Sequence, residues 1–257
     1  MTRQDTLRSK VATTSTEPEL EVQIAVAKVS KFAVTESGDS VELIERPHGG
    51  LSLVMVDGQR SGTSAKAISN IVARKAVSLL ADGVRDGAAA RAAHDYLRTM
   101  RGGQVSATLD IVSVDLGTRT LVISRNSHCP ALIARAAENS YELLEEPSQA
   151  IGIHPWTRPV IAELPIAPDL HVVVFTDGIL SAGERYGEHL EPLGFVREQL
   201  QMCDRISCAR TIADGLLSRA VEMDRGRPAD DMSVVVVSVV ERRNIDQVRR
   251  MSVRFPL

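Results

Sequence analysis

Three strand-sized stretches of this 257-residue chain are apolar almost throughout: LSLVMV at 51–56, LHVVVF at 170–175 and MSVVVVSVV at 232–240. Runs of this kind have no polar face to offer to water, so they read as strands buried inside a core. Other parts of the chain must cover them. Hydrophobic residues reach 44%, enough for a sizeable core, and aromatics only 3%, so Val, Leu, Ile and Ala must fill it.

The remaining segments fall into blocks. Residues 22–34 read as a strand, followed by the turn cluster TESGDS and then by VELIER, which a turn at 46–50 separates from LSLVMV. Ile68, Val72, Ala76 and Leu79 recur at helical spacing, which predicts an amphipathic helix over roughly 62–81. A second helix is expected at 86–100, with Asp86 as its N-cap and Gly102-Gly103 past its end. Strands return in VSATLDIVSVD, TLVISR and PALIAR, the first two joined by a hairpin at 116–119. Weaker strands are expected near 141–144 and 160–164, and helices near 190–201 and 207–223. Strands and helices do not alternate one for one. That pattern argues an α+β fold, antiparallel sheet covered by helices, over a doubly wound parallel sheet.

Bulk properties exclude several roles. A net charge of −3 gives no basic field for nucleic acid and no polybasic membrane patch. No apolar run approaches the length of about 18 residues that a membrane helix needs. The N-terminus has no apolar h-region, so it is not a secretory signal. Cys129, Cys203 and Cys208 form neither a disulfide framework nor a CxxC pair, which makes the cytoplasm the expected location. Residues 1–20 read as a flexible leader, 21–241 as one domain and 242–257 as a basic tail, either loose or docking.

Each of the three apolar strands meets an aspartate at one end: Asp57, Asp177 and the pair Asp230-Asp231. A single turn aspartate is common and says little. Three beside the most apolar strands, two of them followed by glycine, say more. If the strand ends converge, carboxylates about 4 Å apart repel by roughly 4 kcal/mol per pair at an effective dielectric near 20. A proton, a cationic side chain or a metal must offset that. Arg60 and Arg185 are near in sequence, but no lysine or arginine adjoins each aspartate. All-oxygen ligands suit Mg²⁺ or Mn²⁺ rather than zinc. Such ions can lower the pKa of a shared water and direct it at a phosphoester.

The ordered set SGDS (37–40), VMVDGQRSGTSAKAIS (54–69), VSATLDIVSVD (105–115), NSHCPALI (126–133), AIGI (150–153), FTDGILSA (175–182) and DDMSVVVV (230–237) resembles the type 2C (PPM) protein phosphatases. It is most similar to the bacterial SpoIIE/RsbU/RsbX branch. The resemblance spans about residues 22–240 and implies an αββα sandwich with two Mg²⁺ or Mn²⁺ ions in a cleft at one end. It implies that Asp57 bridges both ions, that the Gly58 carbonyl supports the second, that Asp177 and Asp230 hold the first, and that Asp39 lies near the second. Asp231 is the less favoured of its pair. The implied reaction is hydrolysis of phosphoserine or phosphothreonine by metal-activated water. The implied substrate is a phosphorylated STAS-domain regulator of a partner-switching pathway. With no room for a sensor domain before residue 22, the resemblance is to the stand-alone members.

The chain departs from the family pattern in three places. Arg60 stands where the family usually has glycine, and either contacts the substrate phosphate or faces solvent. Asn126-Ser127 replace the first two residues of the family's usual Ala-Gly-His-x-Pro in NSHCP, whose His128 either protonates a leaving group or holds a loop. No arginine before Asp39 matches the family's phosphate clamp; Lys31 is nearest in kind. His48, His94, His154, His171 and His189 show no ligand spacing and read as structural or surface residues. Two other functions remain open: a non-catalytic binding module on the same fold, and a phosphatase of a small phosphoester. Oligomeric state is not legible.

Overall fold

The computed structural model describes residues 19–47, 49–202, 208–242 and 248–254. Most of the expected leader, His48, Cys203 and parts of the tail lie outside them. Among the described residues, ten strands and five α-helices follow in chain order. They are β1 (Leu20–Val29), β2 (Ser40–Glu45), β3 (Leu51–Val56), α1 (Gly62–Ala81), α2 (Asp86–Arg101), β4 (Leu109–Asp115), β5 (Thr120–Asn126) and β6 (Ala131–Arg135). Then come β7 (Ser140–Leu144), β8 (Val160–Pro165), β9 (Leu170–Phe175), α3 (Asp177–Leu180), α4 (Pro192–Met202), α5 (Cys208–Met223) and β10 (Met232–Glu241).

The strands form two five-stranded sheets, ordered β1-β10-β9-β6-β7 and β2-β3-β4-β5-β8, with every pairing antiparallel. The apolar runs explain the layering. In β3, Leu53 and Met55 point between the sheets while Val54 and Val56 point to the helices, so both faces are covered. β10 does the same in the other sheet: Val235, Val237 and Val239 enter the inter-sheet core, and Val234 and Val236 pack under α5. α1 and α2 cover the β3 sheet through Ile68, Val72, Ala76, Ala89, Ala93 and Leu97. α4 and α5 cover the other through Val196, Ile212 and Leu216. The result is the expected four-layer αββα sandwich.

Some boundaries differ from the sequence reading. The first strand stops at Val29 rather than running to 34, because the chain turns there to bring Lys31 to the start of β10. VSATLDIVSVD is a strand only from Leu109; Ala107 instead makes isolated bridges to Gly58 and Ile151. Asp86 is the first helical residue of α2 rather than its N-cap, and its carboxylate binds Arg46 (3.0 Å) and Ser113. Cys129 is a buried free thiol. Cys208 is disulfide-bonded, where no disulfide was expected. Among the described residues, no helix is long and apolar enough to cross a membrane.

Candidate metal centre

Strand direction brings the aspartates together. β2 starts where β3 ends, with Ser40 opposite Val56, and β10 starts where β9 ends, with Val234 opposite Phe175. Asp39, Asp57, Asp177 and Asp230 therefore all lie at one end of the sandwich, two from each sheet.

Asp39 is fully buried and links the sheets. Its Oδ2 accepts hydrogen bonds from Ser233 Oγ (2.6 Å) and Thr176 Oγ1 (3.1 Å) on the facing sheet, while its Oδ1 has no partner. Its main-chain carbonyl accepts from two ammonium groups, Lys66 Nζ at 2.7 Å and Lys28 Nζ at 2.9 Å. Lys66 also donates to Ser40 Oγ at 3.0 Å. The sequence offered no cation beside each aspartate; the fold supplies two, one from α1 and one from β1, far from Asp39 in sequence. Burial, with Lys66 close by, holds the Lys28 ammonium below its ordinary range.

Asp57 follows β3, its main chain fixed by Thr108 N–H donating to its carbonyl at 2.9 Å. Burial pushes its carboxyl up to about 9, and the carboxylates of Asp39, Asp177, Asp230 and Asp231 push the same way. Asp39 is raised to about 6, first by burial and further by Asp231, against the hydrogen bond from Ser233. Asp230, half-buried, is raised by burial against the hydrogen bond it accepts from the Asp231 amide. Four carboxylates thus bear on Asp57.

Asp231 has another task. Its Oδ1 accepts from Lys31 N–H and its Oδ2 from Gly38 N–H, both at 2.9 Å, so both oxygens are spent holding the β1–β2 loop against β10. Among the described residues, the Asp230 carboxylate accepts only from the Asp231 amide. Asp177 opens the short helix α3, which the sequence did not show, and His128 Nε2 sits 3.5 Å from its Oδ2. The His128 side chain is 61% exposed.

The glycines after the aspartates allow close packing. A Cβ on Gly58 would collide with the Ala65 carbonyl of α1, and one on Gly178 with the Asp231 carbonyl. The Gly58–Ala107–Ile151 bridges account for the AIGI segment, which lies beside the loop that follows Asp57. Arg60 is exposed and adopts a left-handed φ of 77°, the conformation that favours glycine.

Sequence reasoning passed over Asp110 and Arg125. They face each other across β4 and β5 in the inter-sheet core, under Met55. Burial raises Asp110 to about 7 against the pull of Arg125, whose guanidinium donates to the carbonyls of Leu144 and Glu146. A lone Asp in the apolar run LDIVSV opposite an Arg in LVISRN was the available signal. His94 and His171 are buried with ordinary partners, the Gly152 amide and Ser238 Oγ.

The donor set fits a hard divalent cation: carboxylate oxygens only, one of them buried without a partner, in a cluster that holds protons above their ordinary range. The aspartates act on one another across the cleft; among the described residues, no three His, Cys, Asp or Glu side chains close into a compact ligand cage.

Two antiparallel sheets between helix pairs, with aspartates of both sheets at one end, define the PPM-type phosphatase fold. The family model described as Stage II sporulation protein E (SpoIIE) matches residues 47–240, and the chain belongs to that family. No curated protein matches it. Among solved structures it is similar to the PP2C phosphatase domain with a regulatory fragment of SpoIIE from Bacillus subtilis, at 20% identity and TM-score 0.74. That match covers 89% of this chain and 66% of the SpoIIE chain, so this chain spans somewhat under two thirds of it. It is similar to RsbX in complex with magnesium (14% identity, TM-score 0.64, 87% of this chain and 100% of that one). It is also similar to the catalytic domain of the phosphatase PstP with two manganese ions (16% identity, TM-score 0.64, 86% and 100%).

Proposed function

We propose that this protein is a metal-dependent phosphatase of phosphoserine or phosphothreonine, acting in the cytoplasm on a phosphorylated STAS-domain regulator of a partner-switching pathway. One observation carries the reading: Asp39, Asp57, Asp177 and Asp230 meet at one end of the sandwich, with Asp57 under the combined field of the others. The similarity to RsbX with magnesium and to PstP with two manganese ions supports two Mg²⁺ or Mn²⁺ ions as cofactors.

Asp57 would bridge the two ions, with the Gly58 carbonyl and Asp39 on the second and Asp177 and Asp230 on the first. When bound, the ions supply a water acidified toward neutral pH and positive charge for the phosphoryl oxygens. The protein supplies the rest. Asp39 is held by Ser233 and Thr176, so its free Oδ1 stays aimed at the cleft. His128, exposed and 3.5 Å from Asp177, is placed to hand a proton to the departing serine or threonine oxygen. Arg60, exposed on the loop after Asp57, would bind the substrate phosphate from the solvent side.

Phosphate release from a phosphoserine STAS protein with Mn²⁺ tests the proposal, with Asp57→Asn and Asp177→Asn as controls. Wild-type release that both substitutions abolish supports it. Wild type no more active than the controls on any phosphoester or metal would end the enzyme reading. Turnover of nucleotides but not phosphoproteins would move the substrate to a small phosphoester.

A further inference from the structure

Beside the cleft lies a patch that the proposed reaction does not use. Phe32, Arg185, Tyr186, Arg225 and Arg227 come from three separate loops and form one continuous surface. The Arg227 guanidinium lies 5.3 Å from the Phe32 ring centre, and that of Arg225 3.9 Å from the Tyr186 ring centre. Arg185 donates to the Arg227 carbonyl and stands 5.9 Å from the Tyr186 ring. Phe32 is 54% exposed, and all three arginines are exposed.

The frame under this patch is fixed. Asp224 is fully buried, and its carboxylate accepts from Gly183 N–H (3.0 Å) and Ala229 N–H (2.6 Å), with Arg185 at 3.5 Å. One carboxylate thereby ties the loop carrying Arg185 and Tyr186 to the loop carrying Arg225 and Arg227. Phe32 N–H donates to the Pro228 carbonyl at 2.9 Å and joins the third loop. The patch adjoins the metal site directly, because Phe32 follows Lys31, whose amide binds Asp231, and Ala229 precedes Asp230.

Among the described residues, neither Arg225 nor Arg227 has a carboxylate partner; the nearby Glu222 pairs with Arg219 at 3.7 Å. Both guanidinium groups rest on aromatic faces. Each guanidinium keeps the planar fork of donors that matches carboxylates. The carboxylates at the cleft offer an acidic segment no counter-charge of their own. A phosphoprotein with acidic residues around its phosphoserine needs positive charge beside the cleft, and this patch holds it.

We infer that the Phe32–Arg185–Tyr186–Arg225–Arg227 surface docks an acidic segment of the protein substrate, flanking the phosphorylated residue. This rests on the phosphatase reading but is tested apart from it. Two fluorescent serine peptides, one with Asp and Glu flanks and one with Asn and Gln flanks, would be titrated against the full chain by anisotropy at low salt. The wild type should bind the acidic peptide about tenfold more tightly, and rising salt should erase the difference. The double variant Arg225→Glu, Arg227→Glu should lose the preference and melt within about 6 °C of wild type, having lost two cation–π contacts, while its Mn²⁺-dependent turnover of p-nitrophenyl phosphate stays as in wild type. Equal binding of both peptides by wild type, or a preference that survives in the double variant, overturns the inference. Selective binding with no turnover of p-nitrophenyl phosphate by wild type would uphold the docking surface and count against the phosphatase.

Discussion

The Lys66 ammonium, from the second turn of α1, lies 2.7 Å from the main-chain carbonyl of Asp39, at the entry to β2. With Lys28 on the same oxygen, it places positive charge where the cleft crowds carboxylates. A hydrogen bond from a charged donor contributes about 1.5–3 kcal/mol. Lys66→Met should therefore lower the melting temperature of metal-free protein by about 3–8 °C for a chain of this size. Mn²⁺ should recover part of the loss, because the ion takes over the neutralising charge. Scanning fluorimetry with and without Mn²⁺ checks this; an equal loss in both would make Lys66 a structural tether only.

Asp57 destabilises the metal-free fold. Its carboxyl has an ordinary value of 3.8 and is pushed up to about 9 here. Between those values the native state keeps a proton that the unfolded chain releases. Stability from this group is therefore full below the lower value and is lost as pH rises through the upper one. Asp57→Asn cannot ionise, so without metal it should melt higher than wild type by about 2–6 °C, or about 1–2 kcal/mol, with the gap widening from about pH 6 to about pH 9. The same variant should release no phosphate with Mn²⁺. A variant less stable than wild type across that range would mean the carboxylates do not repel as described.

Arg60 holds a left-handed φ of 77°, which costs a non-glycine residue about 1 kcal/mol. Arg60→Gly relieves that strain but adds freedom to the unfolded chain, so its melting temperature should stay within about 2 °C of wild type. Arg60→Ala keeps the strain. Both should raise KM for a phosphoprotein by about tenfold with kcat little changed, as for loss of one charge-assisted contact to the phosphate. Unchanged KM in both would leave Arg60 as a solvent-facing residue.

Gly58 and Gly178 tolerate no side chain, since a Cβ at either meets main-chain carbonyl oxygen rather than a movable side chain. Gly58→Ala should cost about 3 kcal/mol by forcing α1 off the Asp57 loop, and Gly178→Ala a similar amount by parting α3 from β10. Chemical denaturation measures both. Gly226→Ala, where nothing lies within 4 Å of the added Cβ, carries only the penalty of its φ of 72° and should cost less.

The sequence alone determined the layers and most of the site. Apolar runs such as LSLVMV and MSVVVVSVV had to be covered on both faces, and the helical period of Ile68, Val72 and Ala76 showed what covers one of them. Asp57, Asp177 and Asp230 were legible because each interrupts such a run at its end, and Asp39 through the ordered family motifs. These signals are local, written in neighbouring residues. The tertiary structure decided what depends on residues distant in sequence. Nothing in the sequence ties Lys28 and Lys66 to Asp39; β1 and α1 bring them there. Asp230 and Asp231 were separated by the amides of Lys31 and Gly38, about 200 residues away along the chain, which occupy only the second carboxylate. Arg125 and Asp110 carry no sign of their burial in the sequence; the second sheet closes over their face of β4 and β5 and buries them. A side chain's charge is fixed by the sequence; the field it sits in is set by what the fold packs around it.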